Sequence, residues 1–293
     1  MSRTARLADL RRADEPRFGG KSVNLGELIA AGIPVPPGFA VAATAYERTV
    51  DEPLRAEISR RYGSLGEPPV AVRSSAVGED SADLSFAGQQ DTFLWVLGAD
   101  QVCEAVRDCW ASLHSPEAVA YRARMGGPEK PVMGVAVQLM VDAVVSGVMF
   151  TCNPVNGDPS TVAVNASWGL GTAVVGGEVT PDEYRVSKVT GEVLHQSVGP
   201  KRIEYRRTAR VEVPAERREV ACLDEEQLGA LLETARRVEG HFGSHQDIEW
   251  ALADDGSLFV VQSRPVTTAP KKAAGPRRSA IDYVMGTFGA DRR

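Results

Sequence analysis

Residues 246–266 read QDIEWALADDGSLFVVQSRPV. Two apolar-rich runs flank Asp255-Gly256, a dipeptide that favours the tight turn of a β-hairpin. Taken as a two-residue turn, it sets Glu249 opposite Gln262 and Asp247 opposite Arg264. Residues two apart on a strand point the same way, so these four side chains share one face. On the other face Ile248 and Trp250 meet Phe259 and Val261, which suits a core. The first face carries carboxylates, an amide and a guanidinium, and asks for an equally polar neighbour. A magnesium–polyphosphate group fits, since Mg²⁺ takes carboxylate and amide oxygens and Arg pairs with a phosphoryl group. A solvated face closed by an Asp247–Arg264 ion pair is the other reading.

Upstream of the hairpin, Leu228, Leu231, Leu232, Ala235, Val238 and Phe242 form an amphipathic helical stripe. Asp224 and Gln227 stand at its start with the spacing of a capping pair. Residues 223–267 thus form one helix-plus-hairpin segment. Residues 1–67 open with a Gly-rich turn, Gly19-Gly20-Lys21-Ser22, and a helix that Gly32 stops. Residues 68–200 are strand-rich, with one helix over about Gln101 to Leu113. Residues 201–222 read as an exposed charged connector, and residues 268–293 as a linker and tail.

Composition narrows the function. The 293 residues are 43% hydrophobic and 25% charged, with 33 basic against 39 acidic side chains and a net charge of −6. That is enough apolar content for packed cores and the wrong balance for nucleic acid as main partner. The four cysteines are scattered, which argues against a zinc site or a disulfide framework. No N-terminal apolar leader is present, and the most apolar window, Val132–Phe150, is broken by Gln138, Asp142 and Ser146. The expectation is a cytoplasmic protein with no membrane partner.

Three further stretches can carry chemistry. Gly19-Gly20-Lys21-Ser22 fails the Walker spacing, because Glu15 stands where its first Gly belongs, but Lys21 can still approach a phosphate. In VAVRSSAVGEDSADLSFAGQQDTFL (70–94), Arg73 ends a short apolar strand. A Gly-rich loop from Gly88 to Thr92 follows, whose N–H groups and Thr hydroxyl suit phosphate oxygens. Val135–Val141 is a buried strand with one amide, Gln138, of the kind that lines an adenine pocket. Asn165–Gly171 and Glu178–Asp182 read as core and turns. None of the four histidines has a triad partner at a recognisable spacing.

Together these pieces resemble the N-terminal ATP-binding domain of the pyruvate phosphate dikinase, phosphoenolpyruvate synthase and rifampicin phosphotransferase family. The matching segments are GGKSVNLGELIAAGIPVPPGF, VAVRSSAVGEDSADLSFAGQQDTF, VAVQLMVDAVVSGVMFTCNP, NASWGLGTAVVGGEVTPDEYRV and QDIEWALADDGSLFVVQSRPV, in family order over residues 19–266. The resemblance implies an α+β, ATP-grasp-like fold of two subdomains enclosing a nucleotide cleft. By motif it implies phosphate contacts from Lys21, Arg73, Gly88 and Thr92, and an adenine side at Gln138, Leu139, Met140 and Val141. It also implies metal ligands at Glu249 and Gln262 and a catalytic Arg264, with ATP and Mg²⁺ as cofactors. By the same resemblance, Lys21 and Arg73 are expected to share the catalytic role.

Two departures qualify it. Only 52 residues separate Lys21 from Arg73, where family members carry a longer insertion. The family's phosphohistidine segment and substrate barrel are also missing, and Gly243-Ser244-His245 matches the former only superficially. The expected function is the ATP-binding subunit of a split phosphotransferase. It would pass the β-phosphoryl group of ATP to a histidine on a separate chain that carries the substrate domain. A stand-alone ATP-grasp kinase or ligase and a non-catalytic nucleotide-binding module are the alternatives.

Overall fold

The computed structural model describes residues 2–45, 50–78, 92–116, 119 and 132–266. The chain divides into two compact units, Met1–Met140 and Val141–Arg293. Both are mixed α and β, in keeping with the α+β, ATP-grasp-like expectation. No described helix is long and apolar enough to cross a membrane, and the four buried cysteines form no disulfide.

Unit 1 is built on an antiparallel sheet of β1 (Thr4–Arg6), β2 (Gly38–Val41), β3 (Val70–Ala76), β4 (Thr92–Val96) and β5 (Met133–Leu139), in the order β1-β2-β5-β3-β4. Strand alternation sends Phe39, Val41, Val70, Val72, Val135 and Val137 to one face. There they meet Leu54, Ile58 and Tyr62 of a helix over Glu52–Ser64, and Val102, Val106, Cys109 and Trp110 of another over Ala99–Ser112. The opposite face carries small residues such as Ala40 and Ala136, which let a short helix α1 (Glu15–Phe18) and then α2 (Gly20–Ala30) lie close. At its end α2 stops as expected: Gly32 N–H donates to Ile29 and Ile33 N–H to Leu28, the paired bonds of a Schellman cap.

Unit 2 holds a six-stranded antiparallel sheet. Its strands are β6 (Ala143–Phe150), β7 (Thr161–Trp168), β8 (Asp182–Ser187), β9 (Val193–Ser197), and a final pair, Gln246–Ala253 and Leu258–Pro265. That pair occupies one edge and β9 the other. The helix Glu225–Phe242 has the predicted capping box: Asp224 N–H donates to Gln227 Oε1 at 3.0 Å and Gln227 N–H to Asp224 Oδ1 at 2.8 Å. Its stripe is buried from Leu228 to Val238.

Residues 201–222 are more than a connector. They contain a hairpin, β10 (Ile203–Arg206) and β11 (Ala209–Glu212), and a short helix, Ala215–Arg218. Lys201 and Glu204 within them are buried. Lys201 donates to Asp182 in a pair with no exposed side-chain surface. Asp182 also accepts from Gly199 N–H at 2.9 Å and Cys222 N–H at 2.8 Å, so one carboxylate fastens both ends of the segment to β8. Burial pushes the Cys222 thiol well above its ordinary range, and the Asp182 charge adds to the rise.

Removing one partner of a buried ion pair strands the other. Asp182→Ala is therefore expected to lose about 3–5 kcal/mol of unfolding free energy in urea titration. Asp182→Leu combined with Lys201→Met should recover part of that loss, because it removes the stranded charge.

Candidate functional site

The hairpin that organises the expected site is β12 (Gln246–Ala253) and β13 (Leu258–Pro265). Glu249 pairs with Gln262 and Asp247 with Arg264, as the sequence predicts, but by a different route. The turn is a three-residue loop, Asp254-Asp255-Gly256, closed by Ala253 N–H to Ser257 O at 3.0 Å. Gly256 takes the left-handed conformation that such loops require (φ 82°). This shifts the register by one, so Trp250 faces Val260 and Ala251 faces Phe259. The predicted pairing of Ile248 and Trp250 with Phe259 and Val261 is thereby replaced. A bulge between the Trp250–Val260 and Glu249–Gln262 pairs, at Val261, restores the register just before the polar residues.

Arg264 donates from Nε at 2.9 Å and from Nη2 at 2.8 Å, both to Oδ2 of Asp247. The other oxygen, Asp247 Oδ1, is buried and has no hydrogen-bond partner among the described residues. Burial pushes the Asp247 carboxyl up, the Arg264 guanidinium pulls it back, and the Glu249 carboxylate adds to the rise. The ion pair anticipated as an alternative to ligand binding is thus real. It also orients the guanidinium, fixing two of its five N–H groups.

The row continues across the sheet. Glu249 pairs with Val148 of β6, and Val148 with Asn165 of β7. Asn165 thus shares a face with Glu249 and Gln262. It is 1% exposed, and neither amide atom has a hydrogen-bond partner among the described residues. Leaving buried amide atoms unsatisfied costs about 1–3 kcal/mol for each such group. Asn165 was read from sequence as part of a core-and-turn stretch. A polar residue in an apolar strand was the available signal, and the register that gives it meaning is long-range.

In unit 1, Lys21 lies in the first turn of α2 and is 6% exposed, so its stem and ammonium are not simply solvated. Arg73 stands in the middle of β3, which continues to Ala76 and does not end at Arg73 as expected. Two residues on and on the same face, Ser75 Oγ accepts from Ser22 N–H at 3.0 Å. This bond ties the start of α2, with Lys21, to the strand that carries Arg73. Thr92, the first residue of β4, pairs with Arg73. Gly88 lies outside the described residues. Gln138 is buried on the Arg73 face, its Nε2 near Pro36 O at 3.4 Å. The N–H groups of Leu139 and Met140 are committed to Pro37 O and Pro69 O, and Val141 opens unit 2. The structure therefore joins Lys21, Arg73 and Thr92 in one set, and Glu249, Gln262 and Arg264 in another.

Among the described residues no group of three His, Cys, Asp or Glu side chains is placed to hold a metal. A buried all-protein cage is thus not what this donor set offers. One carboxylate and one amide side by side, beside an unsatisfied carboxylate oxygen, fit Mg²⁺, which keeps waters and shares phosphate oxygens.

Comparison with known proteins agrees with these motifs. Residues 15–67 and 48–282 match the family described as "Pyruvate phosphate dikinase, AMP/ATP-binding domain", and the chain belongs to that family. A probable phosphoenolpyruvate synthase of Methanothermobacter thermautotrophicus is 40% identical over 89% of this chain. The phosphoenolpyruvate synthase of Pyrococcus furiosus is 36% identical over 94%. The prodigiosin synthesizing transferase PigC of Serratia marcescens is 37% identical over 87%. The chain spans 45% of each of the first two and 32% of the third. Among solved structures, a Korarchaeum cryptofilum dinucleotide-forming acetyl-coenzyme A synthetase shows a distant likeness. It is 14% identical with a TM-score of 0.45, over 83% of this chain and 90% of that one. The ADP complex of the carboxyaminoimidazole ribonucleotide synthetase purK is 11% identical with a TM-score of 0.38, over 85% and 45%.

Gly19, the residue before α2, has φ 78°, and a Cβ there would lie 2.0 Å from the carbonyl oxygen of Ser75. Gly19→Ala should therefore add overpacking of about 1–3 kcal/mol to a left-handed backbone cost of about 1–2 kcal/mol. Gly66→Ala, at φ 86° with nothing within 4 Å, should show only the backbone cost in the same denaturation experiment.

Proposed function

We propose that this chain is the ATP-binding part of a phosphoenolpyruvate-synthase- or dikinase-like phosphotransferase. It binds Mg-ATP and sets its β-phosphoryl group for transfer to a histidine on a further domain or a partner chain. In the balanced reaction ATP, water and the histidine give AMP, phosphate and phosphohistidine. A nitrogen–phosphorus bond forms at the β-phosphorus while the α–β bridging P–O bond breaks, and water takes the γ-phosphoryl group.

The observation that carries this reading is the polar row of the hairpin, Glu249 beside Gln262 with Arg264 held by Asp247, in a chain of this family. Glu249 and Gln262 are the proposed Mg²⁺ ligands, and Mg²⁺ would supply charge neutralisation on the phosphate oxygens. Lys21, Arg73, Gly88 and Thr92 are the proposed phosphate contacts. Gln138 to Val141 are the proposed adenine side, where the Leu139 and Met140 carbonyls suit the exocyclic amine of adenine. Arg264, aligned by Asp247, is the proposed stabiliser of charge on the transferred group. Such reactions need positioning and electrostatics more than covalent help from the protein. The described histidine nearest the site motifs, His245, is engaged otherwise: its Nδ1 lies 2.5 Å from Glu239 Oε1.

The test is to combine the protein with β-labelled ATP, Mg²⁺ and a candidate histidine-domain protein. AMP and acid-labile phosphohistidine are expected together, and ADP without AMP would falsify the assignment. Arg264→Ala should slow transfer about 100-fold or more while ATP binding, measured by calorimetry, is largely retained. Glu249→Gln should raise the Mg²⁺ needed for half-maximal binding by at least the roughly 10-fold that loss of even an outer partner of a metal site produces.

A further inference from the structure

We propose that unit 1 holds a ligand pocket of its own, for a small organic carboxylate with an apolar body. The pocket lies at the end of the sheet where β1 leaves β2. None of its lining residues belongs to the proposed Mg-ATP set, so the inference stands apart from that reading.

The cavity follows from the path of the chain. β1 pairs with β2 only as far as Arg6 opposite Phe39. The chain then turns into a short 3₁₀ helix, Leu7–Asp9, so β2 has lost that partner at Gly38. A cavity of about 520 Å³ opens there, within the size range of small-molecule sites. Its apolar walls come from both faces of the sheet. Phe39 and Leu65 belong with the core under the two longer helices, and Ile29 and Val35 with the core under α2. Ile29, Val35 and Leu65 remain half-buried, so neither core closes over the gap.

The polar lining sets the sign and size of the ligand's charge. Arg6 and Arg61 line the cavity, and among the described residues no carboxylate does. Arg6 is already matched: its Nε and Nη2 each donate to Asp9 at 2.8 Å. The Asp9 carboxyl is held low, first by that hydrogen bond and more weakly by the Arg61 charge, so it stays ionised. Arg61 is not matched. Its hydrogen bonds among the described residues go to Thr4, from Nε to Oγ1 at 3.3 Å and from Nη2 to the carbonyl oxygen at 3.4 Å. Two guanidinium groups against one carboxylate leave a single positive charge. A guanidinium takes a carboxylate through paired N–H groups, and one such anion balances the charge. The polyphosphate of ATP would bring several charges too many.

The probes are naphthalene-2-acetate and its uncharged amide, titrated into the full chain by calorimetry. The acid should bind about tenfold or more tightly than the amide. Arg61→Met keeps an apolar side chain without the charge, and should abolish that preference while leaving amide binding in place. Should Arg61→Met not fold, Ser64→Glu decides. Ser64 is an exposed lining residue, and a carboxylate there should weaken the acid about tenfold and spare the amide. Pro37 lines the cavity and its carbonyl accepts from Leu139 N–H at 2.8 Å, so one wall is a single hydrogen bond from the proposed adenine side. Saturating Mg-ATP should nevertheless leave the affinity for the acid unchanged, and competition between them would assign the cavity to the nucleotide and overturn the proposal. Equal affinity for acid and amide, no binding of either at millimolar concentration, or an unchanged preference in the variants overturns it too. If the protein binds the acid but no Mg-ATP, the functional reading fails and this pocket stands.

Discussion

Everything proposed for unit 2 depends on the strand register at Glu249 and Gln262. A strand has a side-chain period of two, so a slip of one residue sends every side chain to the opposite face. The three-residue turn at Asp254-Asp255-Gly256 introduces such a slip, and the extra residue at Val261 cancels it. Between these two features, Trp250 and Val260 meet in the core. Beyond them, Asp247, Glu249, Gln262 and Arg264 emerge together. Turn and bulge are thus one device: either alone would set the carboxylates of β12 against the wrong residues of β13.

Unit 1 solves a comparable problem with different means. A lysine on a helix and an arginine on a strand have no shared periodicity to align them. Alignment comes instead from contact at the N-terminus of α2, where Gly19 lets the backbone approach Ser75 and Ser75 Oγ caps Ser22 N–H. The helix start is in this way referenced to β3 within one residue pair of Arg73. Small residues on that face of the sheet make the approach feasible, and the bulky residues go to the other face, under the two longer helices.

Much of this was legible from local pattern. The capping box at Asp224 and Gln227, the stop at Gly32 and the hairpin around Asp255-Gly256 each depend on residues a few positions apart. The pairing of Glu249 with Gln262 was also legible, although the assumed two-residue turn reached it only because loop and bulge offset each other. What was not legible involves distant partners. The charges of residues 201–222 suggested exposure, whereas Lys201 is buried because Asp182, nineteen residues earlier, neutralises it. Arg73 looked terminal because Ser74 and Ser75 are polar, yet both are buried beneath neighbouring elements. Asn165 resembled any polar residue in a strand until two pairings aligned it with Glu249. Composition reports the average fate of a residue type, and these positions are exceptions fixed by tertiary contacts.

The position of the bulge has one more effect. β13 is the outermost strand of its sheet, pairing with β12 alone among the described strands. An outer strand offers unpaired backbone groups to any passing chain, and a flat one is an invitation to further pairing. The irregularity at Val261 interrupts the regular repeat of the strand, Arg264 places a charge on it, and Pro265 has no N–H to give at its end. The residue inserted to align the polar row also makes this border a poor template for added strands, so self-association through it is discouraged by the geometry that builds the site.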